Sequence, residues 1–110
     1  MKRTIIAQEP IRLACDLGVF DAKERKRYDS LKEELHSEVA DIHELEDGYA
    51  VGLPGTSLNL LKLAEYISLE RTCCPFLSFR LEVGKSDSPI TLTLTGPDGA
   101  KEFLRHELGL

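Results

Sequence analysis

The first pattern along the chain is an alternation of apolar and polar residues over residues 10–16. Ile11, Leu13 and Cys15 fall on one face of this segment, with polar or small residues between them. A period of two is typical of a half-buried strand, and it predicts that Cys15 points inward.

A helix is predicted from about residue 22 to residue 36. Asp21 followed three residues later by Glu24 matches a capping box, which marks a helix start. Three apolar residues then repeat at helical spacing: Tyr28, Leu31 and Leu35. The other face has charges of both signs, which favours a solvated face over a nucleic-acid-binding patch.

Two hairpins are predicted farther along the chain. Residues 38–46 and 49–53 flank Asp47-Gly48, a dipeptide that suits tight turns because glycine tolerates a positive φ. Residues 79–83 and 90–95 both alternate apolar with polar side chains, and a polar segment containing Pro89 separates them. Each pair of segments is expected to form antiparallel strands.

Two more helices complete the pattern. Thr56 or Ser57 is expected to cap a long amphipathic helix that reaches Thr72 or Cys74, because Pro75 disfavours helical conformation in the residue before it. After a turn at 96–99, a closing helix has one apolar face, formed by Ala100, Phe103, Leu104 and Leu108.

The predicted element order is β-α-β-β-α-β-β-α, which indicates the α+β class. We expect a single antiparallel sheet of about five strands with three helices, and the first six elements follow the order of a ferredoxin-like split βαβ unit. The sequence has no internal repeat and no linker longer than a turn, so residues 1–110 are expected to form one domain.

Composition and charge restrict the function. The 110 residues include 14 Lys and Arg against 19 Asp and Glu, for a net charge of −5. Such an acidic chain is not expected to bind nucleic acid directly or to associate with an anionic membrane, since both depend on basic charge. Neither a membrane span nor a signal peptide is recognisable, which makes the cytoplasm the expected location.

The main chemical signal is polar chemistry at the end of the second helix. At 100° per residue, Glu70, Arg71 and Cys74 fall on the apolar side, whereas Cys73 turns toward Tyr66. The two thiols are therefore predicted to point in different directions. A buried Glu70 beside a buried Arg71 would have to be paired or open to a cavity.

Three cysteines make a poor disulfide framework but a reasonable thiol or metal site in a reducing compartment. Zinc, copper(I) and mercury(II) all suit thiolates, so the candidate ligands are Cys73, Cys74, Cys15 from the first strand, and Glu70. Two points oppose a metal site: adjacent cysteines lack the usual two-residue spacer, and the negative end of a helix dipole disfavours thiolates. A bridge between Cys73 and Cys74 is disfavoured by its geometry.

Two alternatives stay open. The cysteines are equally consistent with a structural or dimerisation module in which they only fill the core, with a second copy of the chain as partner. A cysteine-dependent enzyme is the weakest hypothesis, because nothing in the sequence places His36, His43 or His106 beside a thiol.

Several short motifs resemble a family of small uncharacterised bacterial proteins. They are Cys15-Asp16-Leu17, Glu24-Arg25, Asp47-Gly48-Tyr49, Glu70-Arg71-Thr72-Cys73-Cys74-Pro75-Phe76-Leu77 and Leu94-Thr95-Gly96-Pro97-Asp98-Gly99. Similar segments are attached to MerR-type heavy-metal-responsive regulators, and this resemblance implies that the thiols meet soft metals. No helix-turn-helix is recognisable ahead of Cys15, so a regulatory role would need a partner.

Overall fold

Three α-helices lie against one face of a four-stranded sheet in the computed structural model, which describes residues 15–110. A short 3-10 turn, Leu17–Val19, comes first. The regular elements are then α1 Ala22–Glu38, β1 Asp41–Leu45, β2 Gly48–Leu53, α2 Ser57–Cys73, β3 Ser78–Val83, β4 Ile90–Thr95 and α3 Ala100–Glu107. Both predicted hairpins and all three predicted helices are confirmed.

The sheet is open and antiparallel, with strand order β1-β2-β4-β3. The α+β class is therefore confirmed, but five strands and a ferredoxin-like order are not. In the described part of the chain β2 has β1 on one side and β4 on the other, so neither side of β2 is free for another strand. Of the predicted strand 10–16, residues 10–14 lie outside the described residues, and Cys15 and Asp16 belong to no strand.

The core lies between the helices and the inner face of the sheet. Across β2 and β4, Tyr49 pairs with Leu94, Val51 with Leu92 and Leu53 with Ile90, and all six are buried. The helices cover this face with a second set of buried residues, which includes Leu31, Leu35, Leu63 and Leu104. Burial of these side chains supplies the main driving force for folding.

The helix starts follow the capping predictions. Asp21 and Glu24 form the reciprocal capping box of α1, and the Thr56 side chain accepts a hydrogen bond from the Asn59 backbone N–H at the start of α2. α1 extends to Glu38 and β1 begins only at Asp41, so the prediction of a strand from residue 38 is wrong. Val39 ends the helix in an extended conformation.

Gly48 has a different role from the one the sequence suggested. The turn of the first hairpin consists of Glu46 and Asp47, and Gly48 is already the first residue of β2. A Cβ atom at this position would collide with the carbonyl oxygen of Leu94 on the neighbouring strand. Glycine is therefore required for the close approach of β2 and β4, and not for a positive φ.

Candidate metal centre

The candidate site forms where α2 ends against the segment before α1. Glu70, Cys73 and Cys74 are all 0% exposed. α2 ends at Cys73, and Cys74 leaves the helical conformation with φ −124° and ψ 71°, although its backbone N–H still donates to the Glu70 carbonyl at 2.7 Å. The location predicted for this pair, at the helix end with Cys74 buried and Glu70 near, is confirmed.

The orientation predicted for the two thiols is wrong. Their sulfurs lie 3.6 Å apart instead of pointing in different directions. The helical repeat of 100° applies only while the backbone is helical, and Cys74 is one residue beyond that limit. Arg71 was also expected on the buried side, but it is exposed and therefore does not pair with Glu70.

Cys15 reaches the same place from the other end of the described chain. Its sulfur is bonded to that of Cys74 as a disulfide, with the two Cα atoms 4.5 Å apart. The next residue, Asp16, fixes this position, because its backbone N–H donates to the Cys73 carbonyl at 2.8 Å. The expectation of a poor disulfide framework is wrong for this pair, which is separated by 59 positions in sequence.

Four potential metal ligands thus share one point in the fold. One ligand atom from each of Cys15, Glu70, Cys73 and Cys74 lies within 4.8 Å of the other three. The Glu70 Oε1 atom is 3.6 Å from the Cys73 sulfur and 3.6 Å from the Cys74 sulfur. All four residues named by the sequence are therefore brought together.

Two tyrosines hold the Glu70 carboxylate in place, and the sequence did not assign either to the site. Tyr28 of α1 donates its hydroxyl to Oε1 at 2.5 Å, and Tyr66 of α2 donates to Oε2 at 2.7 Å. Burial and the contact with Glu70 raise the pKa of both hydroxyls, so they remain neutral donors. The spacing of Tyr66, four residues before Glu70, was a usable signal; Tyr28 offered none.

Cys73 is the one free thiol among the described cysteines. Burial, together with the nearby Glu70 charge, raises its pKa to about 11. Both effects disfavour a thiolate, because a negative sulfur would lose solvation and meet a like charge. The Cys73 sulfur is therefore protonated at neutral pH, and a cation that binds it there must displace the proton.

Histidine takes no part in the cluster. His36, His43 and His106 are all exposed. The cluster of Cys15, Glu70, Cys73 and Cys74 therefore contains no thiol–histidine pair. Its chemistry is that of three sulfurs and one carboxylate.

Comparisons with protein-family models, with curated proteins and with solved structures give no match for this chain. Among the helices of residues 15–110, none combines the length and apolarity that a membrane crossing requires.

Proposed function

We propose that this chain is a metal-binding protein in which reduced Cys15, Cys73 and Cys74, together with Glu70, hold one soft or borderline divalent ion. The observation that carries the proposal is the buried Glu70 carboxylate, 3.6 Å from each of two sulfurs. Zinc is the ion that best suits this mixed set, because it accepts both thiolate and carboxylate ligands.

The spacing of the ligand atoms supports tetrahedral coordination. Zinc bonds of about 2.3 Å to sulfur and 2.0–2.2 Å to oxygen imply edges of about 3.8 Å between two sulfurs and about 3.5 Å between sulfur and oxygen. The distance between the Cys73 and Cys74 sulfurs is 3.6 Å, and both sulfur–oxygen distances are also 3.6 Å. Three edges of the tetrahedron therefore already have about the right length.

Charge also supports a cation at this place. Among the ion pairs of residues 15–110, none includes Glu70, although its side chain is fully buried. A buried carboxylate without a positive partner is costly, and two tyrosine hydroxyls supply hydrogen bonds but no charge. A divalent ion would supply that charge.

The Glu70 carboxylate also indicates which metal ion the site prefers. Copper(I) and mercury(II) prefer sulfur, so either would use the cysteines and leave the harder Glu70 oxygen outside the coordination shell. A site evolved for those ions would not need a buried carboxylate at 3.6 Å from the sulfurs. Zinc is therefore our first choice, and a reducing compartment such as the cytoplasm is the setting in which three thiols persist.

The test is a zinc titration of protein reduced with a phosphine and competed with a chromophoric chelator, followed by native mass spectrometry. We expect one ion per chain. Cys73→Ser and Cys74→Ser should each weaken binding at least about tenfold, because each removes one thiolate from the coordination shell. Replacing zinc by cobalt(II) should give thiolate-to-metal charge-transfer absorption that decreases with each serine.

The competing hypothesis is a structural or dimerisation module, which the packing of Cys73 and Cys74 within the hydrophobic core would suit. It predicts no zinc uptake at micromolar concentration, with stability lost in Cys74→Ser. That result in the same titration would overturn the metal proposal. The native spectrum also reports whether the chain forms a homodimer, which stays a prediction.

A further inference from the structure

The Cys15–Cys74 disulfide uses two of the four proposed ligands. A sulfur in a disulfide has no thiolate charge and is a poor ligand for zinc, so the disulfide and the metal exclude each other. Cys73 and Glu70 remain beside the disulfide at the distances given above, and two ligands are too few for a structural zinc site. The same four residues thus define two alternative chemical states.

We propose that the centre is redox-gated: oxidation of Cys15 and Cys74 by a hydroperoxide expels the metal ion, and reduction of the disulfide by a low-molecular-weight thiol restores the site. This inference rests on the proposed function and adds its regulation. It is carried by the pairing of Cys15 with Cys74, and not with Cys73, at a place where all three sulfurs converge.

Oxidation proceeds in two balanced steps. The Cys15 thiolate attacks the hydroperoxide oxygen and the O–O bond breaks, which forms a sulfenic acid and releases an alkoxide, or hydroxide when the oxidant is hydrogen peroxide; the released ion takes a proton from solvent to become an alcohol or water. The Cys74 thiolate then attacks the sulfenic sulfur, the S–S bond forms, and hydroxide leaves and takes a proton to become water. The protein loses two electrons and the hydroperoxide gains two. The zinc ion would leave as a hydrated ion, and the Cys73 sulfur that it releases takes a proton from solvent.

Geometry explains why Cys15 and not Cys73 is the partner of Cys74. The Cys73 sulfur lies 3.6 Å from that of Cys74, but neighbouring residues cannot reach unstrained disulfide geometry. Cys15 approaches from a separate segment, with a Cα–Cα distance of 4.5 Å that falls within the usual range for disulfides. Cys73 therefore takes no part in the disulfide: it is a free thiol in the oxidised state and a zinc ligand in the reduced one.

The exposure of the cysteines indicates which sulfur of the disulfide the reductant attacks. Cys15 is half-buried, whereas Cys73 and Cys74 are completely buried. A small thiolate attacks the Cys15 sulfur, the S–S bond breaks, and Cys74 leaves with the electron pair and takes a proton. A second thiol then attacks the mixed disulfide, releases the small-molecule disulfide and returns Cys15 to its thiol form.

The decisive experiment adds hydrogen peroxide, in equimolar amount, to the wild-type protein loaded with zinc. A chromogenic chelator measures the released zinc, and peptide mapping identifies the disulfide. We expect release to equal disulfide formation mole for mole, with Cys15 joined to Cys74, and we expect a small thiol to restore zinc binding. In Cys15→Ser, peroxide should produce no intramolecular disulfide at Cys74.

The outcomes separate the two proposals. Reduced protein that takes up zinc and keeps it while peroxide is consumed, or that forms a different disulfide, overturns the redox gate and leaves the metal function intact. Reduced protein that takes up no zinc in the initial loading overturns the metal function before peroxide is added.

A matched pair of variants tests the entry point. Cys74→Ser leaves Cys15 without its disulfide partner, and Cys15→Ser does the same for Cys74, whereas Cys73 is a thiol in both variants. Each variant is treated with glutathione disulfide, and peptide mapping identifies which cysteine is modified. We expect the mixed disulfide to form at Cys15 at least about ten times faster than at Cys74, because access limits the exchange. Equal rates would overturn the assignment of Cys15.

Discussion

The two ends of α2 each bury one polar side chain, and the comparison distinguishes a structural role from a chemical one. Near the first turn, Asn59 is 2% exposed, and its neutral amide donates to the Pro54 carbonyl at 2.9 Å and to Glu38 at 3.3 Å. At the last turn, Glu70 is 0% exposed and receives hydrogen bonds from Tyr28 and Tyr66.

The difference lies in charge and in neighbours. The partners of Asn59 satisfy its donors, so that end of α2 needs nothing from outside the chain. Glu70 has hydrogen-bond donors but no cationic side chain among residues 15–110, and three sulfurs surround it. Glu70, and not Asn59, is therefore the buried polar residue that points to chemistry, because no ion pair among residues 15–110 balances its charge.

The largest expected effect comes from opening the disulfide, which is found at only one end of α2. Reducing the metal-free protein with a phosphine should lower its free energy of unfolding by about 4 kcal/mol, because the closed loop constrains the unfolded chain. The loop joins residues separated by 59 positions. Urea denaturation with and without the reductant measures the change.

Cys15→Ser is the control for that experiment, since its stability should not respond to the reductant. Adding zinc to the reduced wild type should recover part of the loss, because the ion binds only the folded chain. If the phosphine did not shift the unfolding curve of the wild type, the disulfide would contribute nothing to stability. That result would contradict the prediction.

The second prediction compares the two buried polar groups directly. Glu70→Gln should weaken zinc binding by about a hundredfold, since an uncharged amide replaces a carboxylate ligand. Asn59→Ala should leave zinc affinity unchanged and lower stability by about 1–3 kcal/mol, because the hydrogen bonds of its amide to the Pro54 carbonyl and to Glu38 are both lost. The measurements are a competitive zinc titration and urea denaturation of the same preparations.

Glu65→Gln is the matched control on the same helix, because Glu65 is exposed and forms its ion pair with Arg27, at 2.8 Å, away from the cluster. It should bind zinc as the wild type does. If Asn59→Ala were to reduce zinc affinity as much as Glu70→Gln, the distinction between the two ends of α2 would fail.

These two ends also show what the sequence can predict. The capping residues and Pro75 fixed the limits of α2, and helical spacing alone placed Glu70 near Cys74. Helical spacing failed for the direction of the Cys73 thiol relative to that of Cys74. The angle between two neighbouring side chains changes when the second residue leaves the helix, as Cys74 does. Sequence patterns describe regular backbone, and the site is built where regular backbone ends.

The remaining parts of the site depend on contacts between distant segments. Cys15 was assigned to a strand, and its disulfide with Cys74 follows from the packing of the Leu17–Val19 turn against the end of α2. Tyr28 was correctly predicted to be buried on α1, but its hydroxyl partner lies on another helix. Single-sequence periodicity contains no information about such pairs.

The third prediction concerns pH. The pKa of Cys73 is raised from its ordinary value near 9 to about 11, so zinc must displace this proton at neutral pH. Affinity should therefore rise with pH, and the Cys73 proton alone should contribute about tenfold per pH unit below that pKa. Titrations of the reduced protein between pH 6 and pH 8 measure the slope.

Cys73→Ser should lose this contribution, so its slope should be smaller by about one logarithmic unit per pH unit. The effect of the Cys73 pKa on stability can be measured without metal, by urea denaturation of the disulfide-bonded protein at increasing pH. Since the folded pKa is raised, the stability due to the Cys73 thiol is fully present below about pH 9 and is lost as pH rises through about 11. Equal slopes for wild type and Cys73→Ser would show that Cys73 is not a ligand.

The smallest expected effects come from the tyrosines, which position Glu70 without touching the metal. Tyr28→Phe and Tyr66→Phe each remove one donor to the carboxylate and keep the ring, so each should weaken zinc binding about tenfold, the lower end of the range for groups that orient a ligand. Tyr49→Phe is the control, because Tyr49 is buried on β2 and 4% exposed.

The cobalt(II) spectra should keep their thiolate bands in both site variants, since all three sulfurs remain. A loss of those bands would show that the tyrosines position the cysteines and not Glu70. Unchanged zinc affinity in both variants would show that Glu70 needs neither hydroxyl.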